Sequence, residues 1–185
     1  MSMSIVGCGK LQKNLQHSRD CRMNIFFLDR DPIVASQYHC DKHVVKMILE
    51  TAQLLSTAHH VLGTKHPELI YKQTHTNHPC GTWVRQSSGN YLWTHALLGA
   101  LCTEYTLRYG RVHATQSKGI VDALKLAPDT IKVSDFSEPP QCMPDVFKAG
   151  DSVTAYRNYY RNGKKHMTTW KTKTPCWWDT HLFME

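Results

Sequence analysis

Long apolar runs are missing from this 185-residue chain; the longest are stretches such as Ile25-Phe26-Phe27-Leu28. A bilayer needs roughly 18 or more apolar residues in a row, so no segment reads as a membrane-spanning helix. Cysteines at metal-ligand spacing are missing as well. The seven of them, at positions 8, 21, 40, 80, 102, 142 and 176, form an odd set with no CxxC pair. That pattern speaks against a disulfide framework and a zinc finger, and for a reducing compartment. Ile5-Val6-Gly7-Cys8 has neither the charged start nor the apolar stretch of a signal peptide, so a cytoplasmic location is expected. Acids are scarce over a long interval: between Lys42 and Val121 only Glu50, Glu68 and Glu104 occur. The formal charge is +7, from 22 Lys and Arg against 15 Asp and Glu. A chain that thins its carboxylates in this way presents a positive field, which favours polyanions such as nucleic acid. Repeats, low-complexity tracts and a convincing period-2 alternation are absent too, which leaves helix as the dominant element.

What remains fits one compact domain. Residues 1–22 are polar, lack sustained periodicity and read as a flexible leader or upstream extension. At Met23 the character changes to Met-Asn-Ile-Phe-Phe-Leu-Asp, the start of a folded domain over 23–185 and a candidate natural initiator. Asp31-Pro32 is a helix-start pair, and Asp41 is expected to cap a helix over about 42–62 with Gly63 as its stop. Val44, Ile48, Leu55, Ala58 and Leu62 form its apolar stripe; His43, Lys46, Glu50, Gln53, Thr57 and His60 form the polar one. A loop over 66–81 follows. Further helices are expected over about 82–109, bent or interrupted near Gly89 and closed by Gly110, and over 116–126. Residues 127–150 hold four prolines and read as an irregular excursion, before Asp151 caps a last helix ending near Gly163. The expected fold class is mainly α: a single compact helical domain with a basic, aromatic C-terminal segment.

Glu50 is the sharpest candidate for chemistry. Lys46 lies one turn before it, Gln53 about one turn after it and His43 two turns before it. A lone carboxylate among donors in a positive field suits a reaction that develops positive charge. The alternative is an ordinary salt bridge between Lys46 and Glu50 on a solvated face. His39, Cys40, Asp41 and His43 invite a metal reading, together with His59, His60, His75 and His78 elsewhere, since His39 and His43 are spaced to share a helical face. Asp41 reads better as a cap and no second tight pair completes the set, so neither metal nor cofactor is expected.

The C-terminal segment is the clearest binding element. Tyr156, Arg157, Tyr160, Arg161, Lys164, Lys165, Trp170 and Lys171 interleave aromatics with cations, and from Asp151 onward six Lys or Arg stand against three acids. Such a mixture suits phosphate contact plus stacking on an unpaired base. The same aromatics could instead anchor the tail on the helices while the cations point outward. Arg85 is taken with them as a DNA-binding candidate.

Two of these segments together resemble the phage endonuclease V type of pyrimidine-dimer DNA glycosylase, a small all-α enzyme. That family carries a His followed seven residues later by a catalytic Glu, the spacing of His43 and Glu50 in Lys42-His43-Val44-Val45-Lys46-Met47-Ile48-Leu49-Glu50. Its aromatic, basic C-terminal segment, which lies along DNA, is similar to residues 156–164, and its long helix ending in an Arg-Gly-like turn is similar to 101–110. The likeness extends over most of 23–165. It implies a DNA-repair or DNA-modification glycosylase, a hydrolase acting on a damaged or modified pyrimidine in double-stranded DNA, with AP-lyase strand cleavage as an optional second step. Glu50 would be the catalytic carboxylate. The family's nucleophile is a free N-terminal amine; here that is the amine of Met23 if the chain starts there, with Lys46 as the substitute. The arginines that the family places just before the Glu and three residues after it are Leu49 and Gln53 here. Two other readings stay open: a non-catalytic nucleic-acid-binding protein, and a metal-dependent phosphohydrolase using His39, Asp41 and His43.

Overall fold

The computed structural model describes residues 23–63 and 69–178; the leader expected over 1–22 lies outside them. The fold is mainly α, with seven helices and no strand among the described residues. Helix α1 (Pro32–Tyr38) starts as its sequence signal implies. Pro32 takes the first position, and the Asp31 carboxylate accepts from the Ile33 and Val34 amides at 2.7 and 3.3 Å. Helix α2 (Asp41–Leu62) ends at Gly63, whose φ of 67° is the left-handed conformation that favours glycine. Its start differs from expectation. Cys40 is the N-cap residue without a side-chain cap bond, and Asp41 is the first helical residue. The Asp41 carboxylate turns instead to Arg108 Nη1 at 3.2 Å and to the Lys171 amide at 3.0 Å. A buried guanidinium is a stronger partner than a helix-end amide.

The helical stretch expected over 82–109, bent or interrupted near Gly89, is interrupted, into α3 (Pro79–Val84) and α4 (Ser88–Tyr109). The chain breaks at 85–87, where the Ser87 hydroxyl accepts from the Asn90 amide at 3.1 Å and opens α4. Gly89 is therefore no bend. It lies in the first turn of α4, where an added Cβ would come 2.4 Å from the Phe136 nitrogen, so glycine is what lets the 127–150 excursion pass. The helix expected over 116–126 is likewise divided into α5 (Ala114–Ser117) and α6 (Ile120–Ala123), separated by Gly119 at φ 76°. Helix α7 (Ser152–Asn158) is capped by Asp151 as expected and runs on into a π-helical turn, Tyr159–Gly163.

Two irregular segments complete the core. The stretch 23–28 is buried along its whole length. The excursion is irregular but firmly docked: Ser137 donates its amide to Asn90 Oδ1 at 2.8 Å, and Trp83 Nε1 donates to Ser137 O at 3.0 Å. Phe27, Trp83, Trp93 and Phe136 form an aromatic cluster beneath it, with ring centroids 5.0 to 6.2 Å apart. Helix α2 packs mainly on α4 and then on α3, while α1 packs on α4. The polar stripe of α2 is covered only in part: His43, Glu50 and Thr57 are buried, Gln53 and His60 half-buried, and Lys46 exposed.

Candidate active site

Glu50 sits midway along α2 and is only 6% exposed. Its Oε1 pairs with Lys46 Nζ at 2.9 Å, the i,i+4 partner, whose side chain is about half exposed at 53%. Its Oε2 accepts from the Asn24 amide at 3.3 Å. The expected solvated salt bridge is thus half right: the pair forms, but its acidic half is inside. Burial pushes the Glu50 carboxyl above the ordinary carboxylate range, against the opposing pull of Lys46, the Asn24 amide and His75.

The carboxylate borders a cavity of about 500 Å³. Met23, Val45 and Leu49 give it apolar walls; Lys46, Gln53, Tyr71, His75 and His113 give it polar ones. Asn24 is the residue that organises this corner, and nothing in the sequence singled it out. Its Oδ1 accepts from the amides of Ile25 and Phe26 at 2.7 and 3.2 Å, and its Nδ2 donates to Cys142 O at 2.8 Å. Fixed on both sides, it presents its own N–H to Glu50. Met23 comes immediately before it, which places the backbone of residue 23 at the cavity. His75, whose segment Thr74 to Cys80 is dense in His, Thr and Asn, lines the cavity beside Glu50 rather than joining His39 or His43.

The chain matches no family model, no curated protein and no solved structure. The site therefore rests on its own geometry.

His43 does not join Glu50 at the cavity. It is 3% exposed, stacks on Phe26 with ring centroids 4.2 Å apart, and places Nδ1 2.5 Å from the Tyr160 hydroxyl. Burial, helped by His39, Lys164 and Lys46, drives its pKa down to about 2, so the ring is a neutral packing group. The metal reading of His39, Asp41 and His43 fares no better. His39 Nδ1 bonds Ala35 O at 2.7 Å, Asp41 is held by Arg108, and the three do not gather into a ligand set among the described residues.

The tail divides between the two roles weighed for it. Tyr156 and Tyr160 have no exposed surface and cannot stack on a base; they are core residues, with the Tyr156 hydroxyl donating to Pro140 O at 2.8 Å. Arg157 binds Leu28 O at 2.9 Å and Asp29 at 3.0 Å, and Arg161 binds Trp177 O, so both guanidinium groups bind inside the fold. Trp170 is half-buried and donates to Tyr38 O at 3.0 Å. Arg85, also half-buried, holds Thr76 O at 2.8 Å and Thr82 Oγ1 at 3.1 Å. What remains outward is Lys164, Lys165 and Lys171. Lys165 and Lys171 are exposed; Lys164 lies 5.0 Å from the Tyr159 ring centre and near enough to His43 to depress its pKa along with Lys46.

Proposed function

We propose that the protein is a DNA glycosylase of the endonuclease V type, cleaving the N-glycosidic bond of a damaged or modified pyrimidine in double-stranded DNA. The observation that carries this reading is a buried carboxylate, Glu50, on the wall of a cavity that Met23 also lines. A cavity of about 500 Å³ lies within the usual range of small-molecule sites, about 300–1,000 Å³, and suits a single nucleotide turned out of the duplex. Breaking the bond leaves oxocarbenium character on the sugar, which the Glu50 carboxylate would stabilise from within a low-dielectric wall. Lys46 and the Asn24 amide favour its charged form in spite of burial. Lys164, Lys165 and Lys171 would hold the phosphates.

A lyase step needs an uncharged amine beside the same sugar. Attack on C1′ of the abasic site opens the ring as a Schiff base, and β-elimination then breaks the strand. The amine of residue 23 would serve in a chain that begins there, and Lys46 Nζ, 2.9 Å from Glu50, is its competitor. The test is incubation with duplexes carrying ultraviolet lesions or substituted thymines, beside an undamaged duplex. Base release from an altered duplex alone is expected. Binding without release from any of them would leave a non-catalytic nucleic-acid-binding protein on this scaffold.

A further inference from the structure

Behind the Asn24 side chain lies a cluster that base release does not use. Cys80, the second residue of α3, is buried, and its Sγ stands 3.5 Å from the Sγ of Cys142 in the excursion. His78, the cap residue of α3, brings a ring nitrogen to the same place: one donor atom from each of the three lies within 4.8 Å of the others. Among the described residues it is the one group of three or more His, Cys, Asp or Glu side chains close enough to share an ion. Sequence spacing shows only the His78-Pro79-Cys80 half, because the third member is 62 residues further on.

The sulfur separation discriminates between uses. A disulfide holds its sulfurs about 2.05 Å apart, far closer than these two. A tetrahedral zinc ion, with Zn–S near 2.3 Å, places two thiolates about 3.8 Å apart. The observed 3.5 Å is close to the second value. Both arms are also preset. Pro79 at the first helical position fixes the turn that carries His78 and Cys80, and the ion takes the His78 Nδ1 lone pair that otherwise accepts from the Cys80 amide at 3.2 Å. On the other side the Cys142 amide donates to the Tyr156 hydroxyl at 3.3 Å, and Cys142 O accepts from Asn24. Outer partners of this kind orient metal ligands.

We propose that His78, Cys80 and Cys142 bind a thiophilic divalent cation, with zinc as the ion whose chemistry fits two thiolates and one imidazole. Solvent fills the fourth position, since His78 and Cys142 are only half-buried. Binding releases the two thiol protons to water and involves no change of oxidation state. The ion fastens the excursion to α3. Through Cys142 O and the Asn24 side chain it also steadies the amide that donates to Glu50. The proposal does not depend on the reaction assigned to Glu50.

The full chain, loaded with zinc under reductant and then freed of excess ion, is expected to keep one zinc per chain by elemental analysis. Cobalt in its place should give thiolate-to-metal charge transfer and the visible bands of a tetrahedral ion. Cys142→Ser should weaken binding beyond the roughly 10–100-fold typical of a lost outer-shell partner. Cys176→Ser, at an exposed cysteine outside the cluster, should leave it unchanged. The wild-type cobalt spectrum stands whether or not a variant folds. Failure to retain stoichiometric zinc, a cobalt spectrum without thiolate bands, or equal retention by Cys142→Ser would overturn the site.

Discussion

Glu50 serves two opposed demands, since the burial that makes it a strong electrostatic partner for a cation also penalises its charge. Replacing it with Gln removes that charge at nearly constant shape. Base release by Glu50→Gln is expected to fall by about 10²–10³, the usual loss when one preorganised electrostatic group goes, with DNA affinity nearly unchanged. Stability should move the other way. The carboxyl is raised above its ordinary range in the folded chain, so folding favours the protonated form. The cost of the charge therefore appears as pH rises through the carboxylate range, and is absent below it. Melting curves should show Glu50→Gln more stable than wild type near pH 7, with the advantage gone in strong acid. A less stable variant at pH 7 would mean that the Lys46 pair outweighs desolvation. Glu50 was legible because α2 carries no other interior acid beyond Asp41 at its first turn. Asn24 was not, because its role comes from contacts with residues 26 and 118 positions away.

At the scale of elements, the strongest polar joint is Arg108 on α4. It donates to Glu104 at 2.9 Å and to His39 O and Gln37 O at 2.8 and 3.0 Å, besides the Asp41 pair at 3.2 Å. It thus ties the C-terminal end of α1 and the start of α2 to α4, with its own side chain fully covered. Arg108→Met keeps the bulk but leaves two buried carboxylates without their counter-charge. A loss of about 3–5 kcal/mol in urea unfolding is expected, against the smaller loss of a surface pair. Helix stops were readable at this scale where glycine adopts positive φ, at Gly63 and Gly110. The interruption near Gly89 was readable too, but not its place at 85–87, where Ser87 caps α4 and also donates to Asp135 O in the excursion. The tail misled for a related reason. Aromatics alternating with cations look alike whether they grip phosphate or, as with Tyr156, Tyr160 and Arg157, pack against residues 26 and 28 of the buried 23–28 segment.

For the molecule as a whole, the proposed DNA contact would draw its charge from few side chains. Lys164→Ala, Lys165→Ala and Lys171→Ala combined should weaken binding to all duplex sequences about equally. They should also flatten the salt dependence by up to ~0.9 per lost phosphate contact. An unchanged salt slope would move the interface elsewhere. Changing Arg157 or Arg161 should instead show first as lost stability, because both bind inside the fold.

The arrangement of the whole chain around Glu50 also sets an expectation for strand cleavage. Residue 23 lines the cavity next to the amide that contacts Glu50. A chain beginning at Met23 would carry its α-amine there, with a reference pKa of about 7.7–8.0 that leaves a useful uncharged fraction at neutral pH. In the 185-residue form that nitrogen is a peptide amide and cannot form a Schiff base. Borohydride trapping on abasic DNA should therefore be stronger for the shorter chain, while base release, which needs only Glu50, should be similar in both. Lys46 makes the opposite forecast: as the nucleophile it would trap equally at both lengths, and Lys46→Ala would abolish trapping in each. Trapping that survives Lys46→Ala only in the chain starting at Met23 assigns the step to the terminal amine, and equal trapping lost with Lys46 assigns it to the lysine.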